Sequence, residues 1–150
     1  MYSESTLLVR PEHLNHHGFL YGGHLLKWLD EQAYIAAITH MHPSSELVTV
    51  AIDRVEFHHS VRQGSLLKFR SQIVHTGRTS VTVFTAVLRM PQPLTIFEAY
   101  VTFVAIDPNG QPCPVGQLLL SPYAPKTGEE NRHWEVVEQA RAQRKGGKKP

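Results

Sequence analysis

The residues best suited to chemistry lie in one stretch, residues 15–42. It opens with a loop rich in histidine and glycine that ends at Gly22-Gly23, and a long apolar helix is predicted to follow. Two glycines at a helix start let the first backbone N–H groups approach a ligand and hold an anion or a polarised carbonyl. About two turns later comes Asp30, whose carboxylate is costly among apolar neighbours unless it is paired or reached by water.

Each of these residues also has a purely structural interpretation. Asp30 could be a helix-face carboxylate paired with Lys27 or with an arginine across an interface. Gly22-Gly23 could be an ordinary entry into a helix, and Asn15 an ordinary turn residue. The residue types alone leave these alternatives open.

The ten histidines raise the question of a metal site. The candidate pairs are His16-His17, His40 with His42, and His58-His59, but no acidic residue stands at ligand spacing and no HExxH pattern occurs. We therefore predict no metal and no cofactor. His58 or His59 follows a predicted central strand, and either could line a substrate cleft or lie at the surface. No GxSxG nucleophile elbow is present, which argues against a serine hydrolase.

Composition narrows the class of protein. The chain has 150 residues, 41% of them hydrophobic, and a net charge of only +2, so we expect a real core and no nucleic-acid binding. The single cysteine, Cys113, excludes an intrachain disulfide. The first residues lack a secretory signal pattern, and no apolar run approaches the ~20 residues that span a bilayer. These features predict a cytoplasmic protein without membrane attachment.

Hydrophobic periodicity predicts one buried helix followed by extended segments. The helix is expected at residues 23–41 and is apolar nearly all round, which is typical of a helix buried on most sides. Strands are expected at residues 5–9, 47–57, 66–75, 80–90 and 94–106, joined by hairpin-length turns that favour antiparallel pairing. A polar helix is expected at residues 129–145, with a basic disordered end that includes Lys145, Lys148 and Lys149.

The predicted fold class is α+β, a curved antiparallel sheet of about five strands wrapped around one long helix, with a C-terminal helical tail. We expect two regions, a domain at residues 1–122 and an extension at residues 123–150. One helix cannot cover both faces of such a sheet, so a second copy of the chain is expected to complete it as an obligate dimer.

An ordered set of short motifs resembles the hot-dog-fold acyl-CoA thioesterases, in particular the short hydrolases related to YciA and to the brain-type cytosolic acyl-CoA hydrolase. The matching residues cover roughly 3–115 and are Pro11, Asn15, Gly18, Tyr21-Gly22-Gly23, Leu29-Asp30-Glu31, Ala36-Ala37, Val48-Thr49-Val50-Ala51-Ile52-Asp53, Gly64, His75-Thr76-Gly77-Arg78-Thr79-Ser80 and Phe103-Val104-Ala105-Ile106-Asp107.

The resemblance implies an acyl-CoA substrate, a role in fatty acid metabolism, and active sites shared across a dimer that often assembles into a hexamer of three dimers. It implies that Asp30 is the catalytic carboxylate and that Asn15 serves the same kind of site from the partner subunit. Gly23 would supply the oxyanion N–H, since it stands at the predicted helix start. A non-catalytic acyl-CoA binding module is the alternative function.

The predicted substrate-binding residues complete the site, and the resemblance implies that residues 77–80 lie near the CoA pocket. They are Gly22, Thr49, His58, Gly77, Arg78, Thr79 and Ser80. Arg78 is suited to bidentate contact with CoA phosphates, although a solvated turn arginine is the competing interpretation.

Overall fold

A computed structural model of the protein describes residues 2–147. It contains five strands, two α-helices and one 3-10 turn. In chain order they are β1 (Ser3–Leu8), the 3-10 turn (Pro11–His13), α1 (Gly22–Ile38), β2 (Glu46–Phe57), β3 (Leu66–Thr76), β4 (Ser80–Met90), β5 (Leu94–Ile106) and α2 (Gly128–Gly146). Every predicted element is present, and α1 ends three residues before the predicted end. Neither helix within this range is long and apolar enough to span a membrane.

The strands form one antiparallel sheet in the order β1-β3-β4-β5-β2. The predicted hairpins β3-β4 and β4-β5 are confirmed, and β4 lies at the centre. The expectation that the segment before His58 is a central strand is wrong, because β2 pairs with β5 and lies at the edge of this chain's sheet. Sequence order placed β2 beside β3, but the chain crosses the sheet between them.

The two helices pack on opposite faces of the sheet. Alternate residues of β4 show this, since Val81 and Val83 belong to the core under α1 whereas Phe84 packs in a second cluster with Val137 of α2. The same core contains the buried side chains of α1, which are Leu25, Leu29, Ala33, Ala36 and Ala37. Burial of these side chains on one face fixes the position of α1 against β3, β4 and β5.

The helix α2 is well defined at its start and docked along its length. Thr127 accepts a hydrogen bond from the Glu130 N–H, and Glu130 accepts in return from the N–H groups of Thr127 and Lys126, which lowers its pKa. Val137 and Ala140 are buried against the sheet. Lys145 lies inside α2, as the predicted helix of residues 129–145 has it, and not in the disordered end to which its charge was also assigned. Lys148 and Lys149 lie outside the described residues.

Two histidines between α2 and the sheet are held neutral by their surroundings. His75 is fully buried, its Nε2 bonds to Glu138, and its Nδ1 has no partner among the described residues, so a second ring proton would have no acceptor there. Burial is the main reason that the pKa of His75 lies below its ordinary value, and it also lowers the pKa of His133. Burial raises the pKa of Tyr100 to about 12, so its hydroxyl remains a donor to His133 Nδ1, at 2.6 Å.

We expect acid to release α2 from the sheet. Because both histidine pKa values are lowered in the docked state, the undocked state binds more protons below about pH 6.5, and docking weakens as the pH falls from there. Above that pH the stability of docking should not depend on these groups. Trp134 stacks on His75, with ring centroids 4.1 Å apart, so its fluorescence in a Trp28→Phe background reports docking. In the His75→Gln protein the Trp134 fluorescence should depend less on pH. An unchanged pH profile would contradict the role of His75 in the pH dependence of docking.

Candidate active site

The carboxylate of Asp30 lies half-buried on α1 and faces β2. The Thr49 hydroxyl donates a hydrogen bond of 2.8 Å to Asp30 Oδ1. Thr49 points toward α1 because it stands opposite Phe103, a residue of the α1 core, in the β2-β5 ladder. Within the chain, the partner of Asp30 is therefore a neutral hydroxyl and not Lys27, one of the two cations that the structural interpretation named.

The predicted loop residue Asn15 organises the turn before α1. Its Oδ1 accepts hydrogen bonds from the N–H groups of His17 and Phe19, at 2.9 and 3.2 Å. Gly18, with φ of +79°, permits the tight turn between them. With its oxygen engaged by the backbone, the side chain of Asn15 has the two N–H donors of its amide left for a ligand.

The start of α1 exposes unbonded backbone donors, as the sequence predicts. The N–H groups of His24 and Leu25 donate to the Tyr21 carbonyl, so those of Gly22 and Gly23 precede the first hydrogen bonds of the helix. The Tyr21 ring lies over Gly23, where a Cβ atom would stand 2.4 Å from Tyr21 Cε1. Gly23 is therefore needed for the close approach of this ring to the backbone.

Asn15, Gly22 and His58 line one cavity of about 350 Å³. The other lining residues are Phe19, Leu20, Leu25, Phe57, His59, Ser60 and Val61. Both histidines that were candidates for a cleft thus lie at the same cleft, and the cavity brings together three of the predicted site residues. Asp30 and Thr49 are not among its lining residues.

The rise of α1 explains this separation. Seven residues separate Gly23 from Asp30, which is about 10 Å along a helix axis. A carbonyl held by the first N–H groups of α1 is consequently out of reach of Asp30 in the same helix. The predicted site residues of one chain thus form two separate groups, which we name the donor half (Asn15 and Gly22-Gly23) and the carboxylate half (Asp30 and Thr49).

His58 also takes part in the one cluster of ligand-type side chains found in the described part of the chain. Its Nε2 lies 3.2 Å from Glu98 and 3.6 Å from Glu56, and the three ligand atoms are within 4.8 Å of one another. All three side chains are at least one third exposed. The arrangement is that of a surface imidazole bridging two carboxylates.

The predicted residues 77–80 form the turn between β3 and β4. The Gly77 N–H donates to the Ser80 carbonyl, and the Arg78 carbonyl accepts from Val115. The side chain of Arg78 is exposed. Only Ser80 of these four lines a cavity with cations, and those cations come from α2.

The cations of this cavity are Arg141, Arg144 and Lys145. The two arginines were missed at the level of sequence. A signal was present, because Arg141 and Arg144 follow the buried Val137 at positions i+4 and i+7 of the same helix stripe. The sequence pattern could not show which face of the sheet that stripe would meet.

Comparison with known proteins places this arrangement in a family. The profile of the Thioesterase superfamily matches residues 17–96. The chain belongs to the thioesterase superfamily. The apo form of a hexameric acyl-CoA thioesterase superposes with a TM-score of 0.83 at 33% identity, over 97% of this chain and 91% of that one. The sheet with one central helix and an added C-terminal helix is the hot-dog fold, as the sequence motifs predicted.

Relatives in sequence carry related descriptions. The cytosolic acyl coenzyme A thioester hydrolase of Rattus norvegicus is 30% identical over 161 aligned positions, which cover 99% of this chain. The chain spans 40% of the length of that mammalian relative. The acyl-CoA thioester hydrolase YkhA of Bacillus subtilis, described as uncharacterized, is 33% identical over 83% of this chain and 71% of its own length.

Asn15 accepts hydrogen bonds from the loop backbone and has amide donors left for a ligand, and substitution can separate these two roles. Asn15→Ala should destabilise the protein by about 1–2 kcal/mol, because two loop N–H groups lose their acceptor. Asn15→Asp retains the acceptor oxygens and should recover most of that stability while lacking the amide donors. Urea unfolding of the three proteins measures this, and equal stability of Asn15→Ala and the unmodified protein would show that the loop does not depend on this side chain.

Proposed function

We propose that the protein hydrolyses acyl-CoA thioesters, releasing free CoA and a carboxylic acid. The observation that carries the proposal is the carboxylate of Asp30, which accepts a hydrogen bond from the Thr49 hydroxyl and stands where the resemblance implies a catalytic carboxylate. The descriptions of the thioesterase relatives support the substrate class. The donor half of the site supports the same chemistry, since thioester hydrolysis needs a group that stabilises an oxyanion.

The Thr49 bond leaves Asp30 Oδ2 available for the reaction. As a general base, Asp30 removes a proton from water while the water oxygen bonds to the thioester carbon, and collapse breaks the C–S bond. As a nucleophile, it bonds to that carbon itself, expels the CoA thiolate and leaves a mixed anhydride that water cleaves. In both routes the thiolate leaves with the electron pair of the C–S bond and takes up a proton.

The oxyanion donors in this proposal come from a second copy of the chain. The N–H of Gly23, beside that of Gly22, and the amide of Asn15 belong to one half-site, about 10 Å along α1 from the carboxylate half. A copy that presents its donor half to Asp30 completes one site, and symmetry then completes the second. Gly23 and Asn15 therefore act on the substrate that is bound at the other subunit's Asp30.

The surface around β2 supports such an assembly. Five apolar side chains of this edge strand are more than one third exposed, namely Val48, Val50, Ile52, Val55 and Phe57. Tyr34 and Ile35 of α1 are exposed to a similar extent. An apolar edge strand is a template for pairing with another chain, so we place the dimer contact along the backbone edge of β2, which leaves the outer face of the sheet at Val50 open. Three dimers would form a hexamer, which is the state of one structural relative. The cytosolic rat relative supports a cytosolic location.

Substitution of the carboxylate half should separate chemistry from folding. Asp30→Asn should lower kcat by about 100- to 10,000-fold, because the amide can serve as neither base nor nucleophile. Thr49→Val should lower it by about tenfold through loss of one hydrogen bond, and Thr49→Ser should restore it. Thiol release from an acyl-CoA series measures the rates, and thermal unfolding is the control for folding. Saturable acyl-CoA binding without any thiol release by the unmodified protein would favour the binding-module alternative.

A mixed oligomer tests the shared site. Asn15→Asp and Asp30→Asn proteins, each nearly inactive, are denatured together in equal amounts and refolded. Random pairing gives mixed dimers with one site intact and one doubly altered, so about a quarter of the unmodified activity should return. If each site lay within one chain, the mixture would stay as inactive as its components.

A further inference from the structure

The C-terminal helix forms a second cavity with the outer face of the sheet. This cavity has a volume of about 250 Å³. Three of its lining residues are cations of α2, and the other four come from β2, β4 and β5. The complete lining is Val50, Ser80, Thr102, Val104, Arg141, Arg144 and Lys145. The cavity thus exists only while α2 is docked.

Contacts on both sides hold the cations in place. The Arg141 guanidinium lies against the Gly77 turn, where a Cβ atom would stand 3.0 Å from both terminal nitrogens. It also donates to Glu138, at 3.3 Å. Arg144 pairs with Asp53 of β2. The predicted binding residue Gly77 therefore has a defined task, since the lack of a side chain admits Arg141 to the turn.

The charge of this region is positive. Two carboxylates, those of Asp53 and Glu138, face three cations, and among the described residues Lys145 forms no ion pair within 4 Å. Anions are attracted to such a surplus, and arginine side chains bind phosphate oxygens in bidentate fashion. The valine side chains of Val50 and Val104 add an apolar wall suited to the face of a nucleobase.

The position of the cavity relates it to the carboxylate half of the site. Val50 follows Thr49 directly, at a bulge in the β2-β5 ladder, and the two residues lie toward opposite faces of the sheet. The nucleotide is the end of acyl-CoA farthest from the thioester. A site on the opposite face of β2 from Asp30 is therefore suited to the nucleotide and not to the acyl group.

We propose that this cavity binds the phosphorylated nucleotide end of acyl-CoA, with Arg141, Arg144 and Lys145 as phosphate ligands. The inference rests on the proposed thioesterase function and adds a task for the C-terminal extension. The extension thus supplies part of the substrate site, and Ser80 is the residue through which the β3-β4 turn contributes to it.

Paired substrates test the site kinetically. The Arg144→Gln/Lys145→Gln protein should show a KM for acyl-CoA raised by about tenfold or more with unchanged kcat, since the lost contacts do not touch the thioester. The KM for the same acyl group on pantetheine, which lacks the nucleotide, should not change. Added salt should raise the KM for acyl-CoA in the unmodified protein and less in the variant.

Matched variants control for the charge and for the fold. Arg132→Gln removes one positive charge near the start of α2, at about 18 Å from Arg144 along the helix axis, and should leave both KM values unchanged. Lys145→Gln alone has no ion pair to lose and should raise the KM for acyl-CoA by about threefold. Trp134 fluorescence verifies that α2 stays docked in each variant. Equal KM values for the double variant and the unmodified protein would overturn the proposal.

Binding measured without turnover distinguishes this proposal from the proposed function. Calorimetry with adenosine 3′,5′-bisphosphate should show binding that weakens by about tenfold in the double variant, whereas inorganic phosphate alone should bind far more weakly to both. If the unmodified protein released no thiol yet showed this pattern, the thioesterase function would fail and the nucleotide site would stand. If it hydrolysed acyl-CoA but bound the bisphosphate equally in both proteins, only the nucleotide site would fail.

Discussion

The fixed rise of one buried helix is the constraint on which the rest of this structure depends. The small and branched side chains of α1 pack on the sheet, so the helix is held rigidly along its length. The N–H groups at Gly22-Gly23 and the carboxylate of Asp30, to which we assign the chemistry, are then held about 10 Å apart. A single chain cannot bring them to one carbonyl, and the exposed apolar edge of β2 offers the contact through which a second chain would do so.

The hydrogen bond from Thr49 gives the carboxylate its orientation. It also connects the catalytic proposal to the strand at which we place the dimer contact, because Thr49 belongs to edge strand β2. A change in the pairing of β2 should therefore alter the position of the Asp30 carboxylate. In the proposed assembly, dimer formation and chemistry would be coupled through this one strand.

The C-terminal helix adds a second layer to the sheet and depends on neutral buried histidines for its docking. His75 bonds to Glu138, and Glu138 in turn holds Arg141 beside the Gly77 turn. The pH dependence expected for docking and the substrate affinity expected from the α2 cations therefore share one set of contacts. Acid that releases α2 should weaken acyl-CoA binding as well as helix packing.

Local patterns in the sequence determined the elements of this fold. Period and turn chemistry predicted all five strands and both helices to within a few residues, because amphipathic spacing and glycine or proline at turns are properties of short segments. The residues Asn15, Gly22-Gly23 and Asp30 stood out for the same reason, since a loop, a helix start and a buried-helix carboxylate can be recognised locally. The family motifs then predicted the hot-dog fold and the thioesterase relationship.

Tertiary structure decided the neighbours that hairpin turns do not fix. The place of β2 at the sheet edge depends on a chain crossing that leaves no mark in local spacing, and with it the pairing of Thr49 with Asp30, which are 19 residues apart. Lys145 lines a cavity together with Ser80 because α2 docks on the sheet, and these two residues are about 65 positions apart in sequence. Sequence periodicity reports which face of an element is buried, and only the folded chain decides what that face meets.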